Sequence, residues 1–144
     1  MECRQVIWAK INFISGDIAE YERPFLVIGE EEDYLITLNC GSIKRSNLYK
    51  MLSDNYVRLK RHRPPFNVKT FVQVNEIYKV PKVPEIDKAM KSTVKLDERD
   101  FNIVMDYYNF YDEKNNQRNI KIVSEEEFKS LNPELFEQPL LMTP

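Results

Sequence analysis

Arg23-Pro24-Phe25-Leu26-Val27-Ile28 decides how this chain is read. Proline is tolerated at the first position of a strand, and the four apolar residues behind it read as a strand buried on both faces. The arginine in front is left at the rim of the sheet, a permanent cation able to face solvent or a phosphate. Ser15 to Glu22 precede it as a polar loop. Further upstream, Ile7, Ala9, Ile11 and Phe13 alternate with Trp8, Lys10 and Asn12, the period-two pattern of a strand. Downstream, Gly29 and the acidic turn Glu30 to Asp33 lead into a third strand, Tyr34 to Cys40, so three sequential strands form a meander.

The remainder alternates strands with short helices. Gly41 to Asp54 is polar, with Leu48, Met51 and Leu52 at helical spacing, and predicts a short helix capped by Ser46. Tyr56 to Lys60 alternates as a fourth strand, Arg58 and Lys60 opposite Val57 and Leu59, and Pro64-Pro65 ends it. Lys69 to Val80 reads as one fifth strand centred on Phe71 to Val74. Asp97 and Asp100 cap a helix running to Tyr111, with Phe101, Val104, Met105, Tyr108 and Tyr111 in one stripe. Ile120 to Val123 adds a short strand, and Ser124-Glu125-Glu126-Glu127 a second capping box. Leu135-Phe136 and Leu140-Leu141-Met142 are too apolar for an idle tail and are expected to dock on the domain or meet a partner. The class expected is mainly β with helices (α+β), with Val27, Ile36, Leu38, Val72, Val104 and Tyr108 in one core.

The 144 residues suit a single domain spanning 1–144, with a core over about 6–111 and a C-terminal extension over 112–144. Apolar residues at 42%, charged residues at 31% and a net charge of −2 describe an ordinary soluble protein. No run of about 18 apolar residues is present to cross a membrane, and Met1-Glu2-Cys3-Arg4 lacks a secretory pattern, so a cytoplasmic location is expected. Cys3 and Cys40 have neither metal-site spacing nor the density of a disulfide framework, and His62 is the single histidine, so no metal and no cofactor is expected. Charge is unevenly spread. Lys44, Arg45, Lys50, Arg58, Lys60, Arg61 and Arg63 face only Asp54 between Ile43 and Arg63, whereas the tail carries Glu125, Glu126, Glu127, Glu134 and Glu137. A basic patch of that kind raises the local concentration of a polyanion.

Taken in order, the strand from Val6, the polar loop, the Arg23-Pro24 strand, the acidic turn, the strand ending at Asn39-Cys40, the long polar segment, two more strands and a helix resemble the MazF/PemK (Kid)-like toxin endoribonucleases over roughly Val6 to Tyr111. The resemblance implies an SH3-like or MazF-like small antiparallel barrel with a packed C-terminal helix. It also implies metal-independent cleavage of single-stranded RNA by 2′-hydroxyl attack, leaving a 2′,3′-cyclic phosphate. Implied partners are the RNA substrate and an antitoxin, either a small protein or, in the ToxN-like branch that the length and tail favour somewhat, an RNA repeat; homo-oligomers are left open. This chain departs from the family pattern at three places. Gln5-Val6 stands near the usual Gly-Asp, Asn39-Cys40 with Ser42 stands where the third strand often ends in Thr-Ser, and Gln73-Val74-Asn75 stands at an Arg-x-Asp pair.

Metal-free RNA cleavage needs a base for the 2′-hydroxyl, donors for the phosphorane charge and an acid for the departing oxygen. Arg23 suits the second role, because its planar fork grips two phosphate oxygens at any working pH. Ser42 (or Thr37 in another register) and Asn39 position the phosphate by hydrogen bonding, and His62 has the ordinary pKa for acid–base work. Glu22 and Glu76 are the remaining candidate bases, and strand phase buries the Cys40 thiol. Lys44, Arg45, Arg58, Lys60, Arg61 and Arg63 are the expected RNA-binding cations. The uncharged Asn39, Gln73 and Asn75 equally permit a catalytically inactive RNA- or protein-binding module on the same barrel. A serine hydrolase or P-loop protein is excluded by the absence of Gly-x-Ser-x-Gly and of a glycine-rich phosphate loop.

Overall fold

Strand β3 (Tyr34–Ser42) organises the molecule, because it changes partner along its length. The computed structural model describes residues 1–115 and 118–137. On one side, β1 (Val6–Ala9), β2 (Arg23–Glu30) and β3 form the expected antiparallel meander. On the other, the first half of β3 pairs with β6 (Glu76–Pro81), Tyr34 opposite Pro81 through Thr37 opposite Tyr78. Its last residues pair with β5 (Thr70–Gln73), Cys40 opposite Val72 and Ser42 opposite Thr70, and β5 in turn pairs with β4 (Tyr56–Arg58). A parallel strand, β7 (Asn119–Ile122), lies beside β6. Among the described residues β1, β4 and β7 each pair on one side only, so the fold is an open, mainly antiparallel sheet with helices.

Two strand expectations are corrected by this branching. Residues 69–80 are two strands, because the partner switch on β3 falls at Val74-Asn75 and the Val74 N–H turns to the Asn55 carbonyl at 2.8 Å. Similarly, β1 ends at Ala9 instead of running to Phe13. There the side-chain amide of Asn132 takes over, accepting from Lys10 N at 2.7 Å and donating to Lys10 O at 2.9 Å.

The helices follow their capping signals with one exception. In α1 (Glu98–Asn115), Asp97 Oδ1 accepts from Arg99 N at 2.9 Å, and the Arg99 guanidinium lowers the Asp97 carboxyl to about 2. In α2 (Glu125–Leu131), Ser124 Oγ accepts from Glu127 N at 3.0 Å, as the capping box predicts. The segment Arg45–Leu52 is a 3-10 helix that starts at Lys44, so Ser46 is not its cap. Asn47 sets that start: its Oδ1 accepts from Lys44 N and its Nδ2 donates to Ser42 O. No described helix is long and apolar enough to cross a membrane.

Side chains alternate between two cores. One gathers Ile7, Ala9, Ile11, Phe25, Val27, Leu35 and Tyr78 beneath Phe128 and Leu135, with Phe136 packed against it. The other gathers Val6, Leu26, Leu38, Cys40, Val57, Val72 and Val104, with Ile36, Phe101 and Tyr108 against it. The single core expected from the sequence is thus corrected at Val27, since the pleat of β2 sends Leu26 and Val27 to opposite faces. The apolar Leu135-Phe136 pair docks as expected, whereas Leu140-Leu141-Met142 lie outside the described residues.

Candidate functional site

Register brings the ends of β1, β2, β3 and β5 to one place: Ala9 lies opposite Arg23, Phe25 opposite Asn39 and Ser42 opposite Thr70. A cavity of about 360 Å³ opens there, walled by Trp8, Tyr21, Arg23, Ser42, Lys44, Phe66 and Thr70 among others. Trp8 and Phe66 form its aromatic side, ring centroids 6.3 Å apart. Close packing at this end requires Gly41, since a Cβ there would come within 2.6 Å of the Phe71 ring.

Arg23 is half-buried, and its guanidinium lies over the rings of Phe13 and Tyr21 at 4.8 and 5.5 Å. Those rings leave the edge of the fork, the part that donates hydrogen bonds, to other partners. Glu22, on the cavity wall, is ion-paired with Lys91, whose ammonium also sits 4.4 Å over the Trp8 ring. Lys91 arrives from the segment between the 3-10 helix Pro84–Ala89 and α1, where no local pattern announces it.

The remaining sequence-derived candidates are distributed unevenly. Ser42 and Lys44 join Arg23 at the cavity. His62 does not line it, and its carbonyl accepts from Phe66 N at 2.9 Å. Cys40 is fully buried, and burial pushes its thiol far above the range in which a thiolate forms. Asn39 points with Phe25 and Thr37 to the other face of β3, and its Oδ1 is buried without a hydrogen-bond partner among the described residues.

On that face lies a polar cluster in which Tyr78, which the sequence reading did not single out, joins Asn39, Gln73 and Glu76. The Glu76 carboxylate accepts from Gln73 Nε2 at 3.2 Å and from Tyr78 Oη at 3.4 Å. Tyr78 Oη in turn accepts from Ile14 N at 3.3 Å, and its ring packs 5.3 Å from Phe25. Burial raises both acids, Glu76 above its ordinary range and Tyr78 to about 12. Arg23 shares the β2 phase of Phe25 on this face, and Tyr78 also feels its charge.

The basic segment is less available than its composition suggests. Arg61 donates its backbone N–H to Asp100 Oδ2 at 2.6 Å and its guanidinium to Oδ1 at 3.1 Å, tying the loop after β4 to the first turn of α1. Arg63 closes its own loop through Nε and Nη2 on Asn67 O, at 3.0 and 2.6 Å. Lys44, Arg45, Arg58 and Lys60 are exposed, with no ion pair among the described residues. The described residues hold no cluster of three or more His, Cys, Asp or Glu suited to a metal ion. A mouth with one guanidinium, one ammonium, three hydroxyls and an aromatic wall suits a phosphodiester with a stacked base. No family model matches this sequence, and no curated protein matches it.

Proposed function

We propose that the protein is a toxin-type endoribonuclease on an SH3-like, MazF-like barrel, cutting single-stranded RNA without a metal to leave a 2′,3′-cyclic phosphate. The observation that carries this reading is the meeting of Arg23, Ser42 and Lys44 beside Trp8 and Phe66 in one cavity. In the resemblance from which the proposal starts, the arginine opening the second strand is the family residue that keeps its expected place, and here it lines a mouth lying next to exposed cations. The neutralising partner is then an antitoxin, a small protein or an RNA repeat, acting in the cytoplasm.

Arg23 stabilises charge that grows on the phosphate, so its loss costs rate more than binding. Arg23→Ala lowers single-turnover cleavage by about 10²- to 10³-fold in chelator, the penalty for one such donor, with RNA affinity within a few-fold of the parent. Arg23→Lys restores little, because a point charge does not reproduce two parallel hydrogen bonds. Identification of the product's 3′ end by mass completes the assay. Intact RNA after incubation with the parent protein overturns the reading.

One observation favours a second reading, a catalytically inactive RNA- or protein-binding module. Glu22, the one carboxylate among the described residues lining the cavity, is neutralised by Lys91. Salt-sensitive RNA binding without cleavage would decide for an RNA-binding module.

A further inference from the structure

The polar cluster behind Arg23 supplies what the cavity lacks. Extending the β3–β6 register past Thr37–Tyr78 brings Asn39 level with Glu76, on the face shared by Phe25 and Tyr78. The hydrogen bonds from Gln73 and Tyr78 then fix the Glu76 carboxylate at the fork where β3 exchanges β6 for β5. Tyr78 itself is almost wholly buried and Glu76 is not, so only the carboxylate can reach a substrate.

Resting on the endoribonuclease reading, we propose that Glu76 is the general base that takes the 2′-hydroxyl proton, and that Tyr78 positions it. The 2′-oxygen then bonds to phosphorus as the bond from phosphorus to the 5′-oxygen breaks. The departing oxygen keeps that electron pair and takes a proton from solvent, and Glu76 returns its own proton to solvent. Arg23, adjacent through Phe13 and the Ile14–Tyr78 hydrogen bond, faces the phosphate while Glu76 faces the nucleophile.

A working base near neutral pH needs a carboxyl above its ordinary range, and burial supplies that shift. Besides burial, the group acting on Glu76 is Tyr78 on its own strand; Glu76 in turn raises Tyr56 on β4, Arg23 on β2 acts on Tyr78, and the register neighbour on β7 is the neutral Asn119. The Tyr78 hydrogen bond lowers the carboxyl against the larger effect of burial.

The test is single-turnover cleavage of a mixed-sequence single-stranded RNA in chelator, from about pH 4 to 9, with melting temperatures for every variant. Glu76→Gln keeps an acceptor for Gln73 and Tyr78. It is expected to lower the rate by about 100-fold or more, with RNA affinity within a few-fold of the parent and no drop in melting temperature. Tyr78→Phe, expected to retain folding, moves the acidic limb of the rate profile to higher pH, because a hydrogen bond that lowered the carboxyl is gone. A parent that cuts RNA, is slowed by Arg23→Ala and is untouched by Glu76→Gln overturns this proposal alone. A Tyr78→Phe profile with an unmoved limb overturns the positioning role. A parent that cuts no RNA overturns both this proposal and the function on which it rests.

Discussion

The mouth at Arg23 and the basic segment from Ile43 to Arg63 differ in how they are assembled. At the mouth, Trp8, Arg23, Ser42 and Thr70 are far apart in sequence and meet because three strand registers end together. The basic segment is contiguous in sequence, yet Arg61 and Arg63 are tied to Asp100 and Asn67 while Arg58 and Lys60 stand exposed. A run of like charges therefore gives an upper bound on a binding surface, because the fold recruits part of it for its own connections. Residues converging from separate strands carry more functional information than residues adjacent in the chain.

The largest effect expected from testing this contrast comes from the helix that holds the basic segment. Val104 is buried in the second core with Val57 and Val72. Val104→Asp places an unpaired charge there and should destabilise by about 4 kcal/mol. A thermal unfolding curve that overlays the parent's would mean that α1 does not clamp β4 and β5.

Next in size is the Arg61–Asp100 link. Asp100 is buried and accepts both from the Arg61 backbone and from its guanidinium, so Asp100→Ala strands two donors and should cost about 2–3 kcal/mol. Arg61→Ala retains the backbone bond, and its guanidinium is partly exposed, so it should cost less. Equal losses in chemical denaturation would show that the side chain, rather than the backbone bond, makes the link.

How much of this was legible follows the range of the interactions. The β1–β2–β3 meander, the cap of α2 and the stripe of α1 depend on neighbours within a few residues, and their patterns could be read directly. The division of residues 69–80 could not, because Val74 continues the apolar run while a carbonyl some twenty positions away, that of Asn55, takes its N–H. Likewise Asn132 ends β1 from the far end of the chain. At the site, the strand opening marked Arg23, the family resemblance marked Ser42 and the basic run marked Lys44. Tyr78 was hidden inside what read as an unbroken strand, and Lys91 reaches Trp8 and Glu22 only through the tertiary fold.

A smaller effect distinguishes the exposed cations from the committed ones. If Arg58 and Lys60 contact phosphates, Arg58→Ala with Lys60→Ala flattens the log–log salt dependence of single-stranded RNA binding by about 1.4 units, at about 0.7 per contact. Arg61→Ala should change the slope less, since its guanidinium is already paired with the Asp100 carboxylate. A reversed order in binding titrations between 50 and 200 mM salt would assign the footprint to the loop instead.

The smallest effect is one of stability, and it separates the polar cluster at Glu76 from an ordinary surface. Burial raises the Glu76 carboxyl above its reference value of 4.5, so the folded chain holds that proton more tightly than the unfolded chain does. Between the unfolded and folded values the native state binds more protons, and stability therefore falls as pH rises through that window. Above the folded value the loss is complete and constant. Glu76→Gln removes the ionisation while keeping an acceptor for Gln73 and Tyr78, so the variant should melt higher than the parent at pH 7 and should lose that advantage near pH 4. Stability given up at neutral pH for a desolvated carboxylate is what a reactive site requires and a solvated strand end does not. Parallel melting curves at both pH values would return Glu76 to the surface and leave Arg23 without an adjacent base.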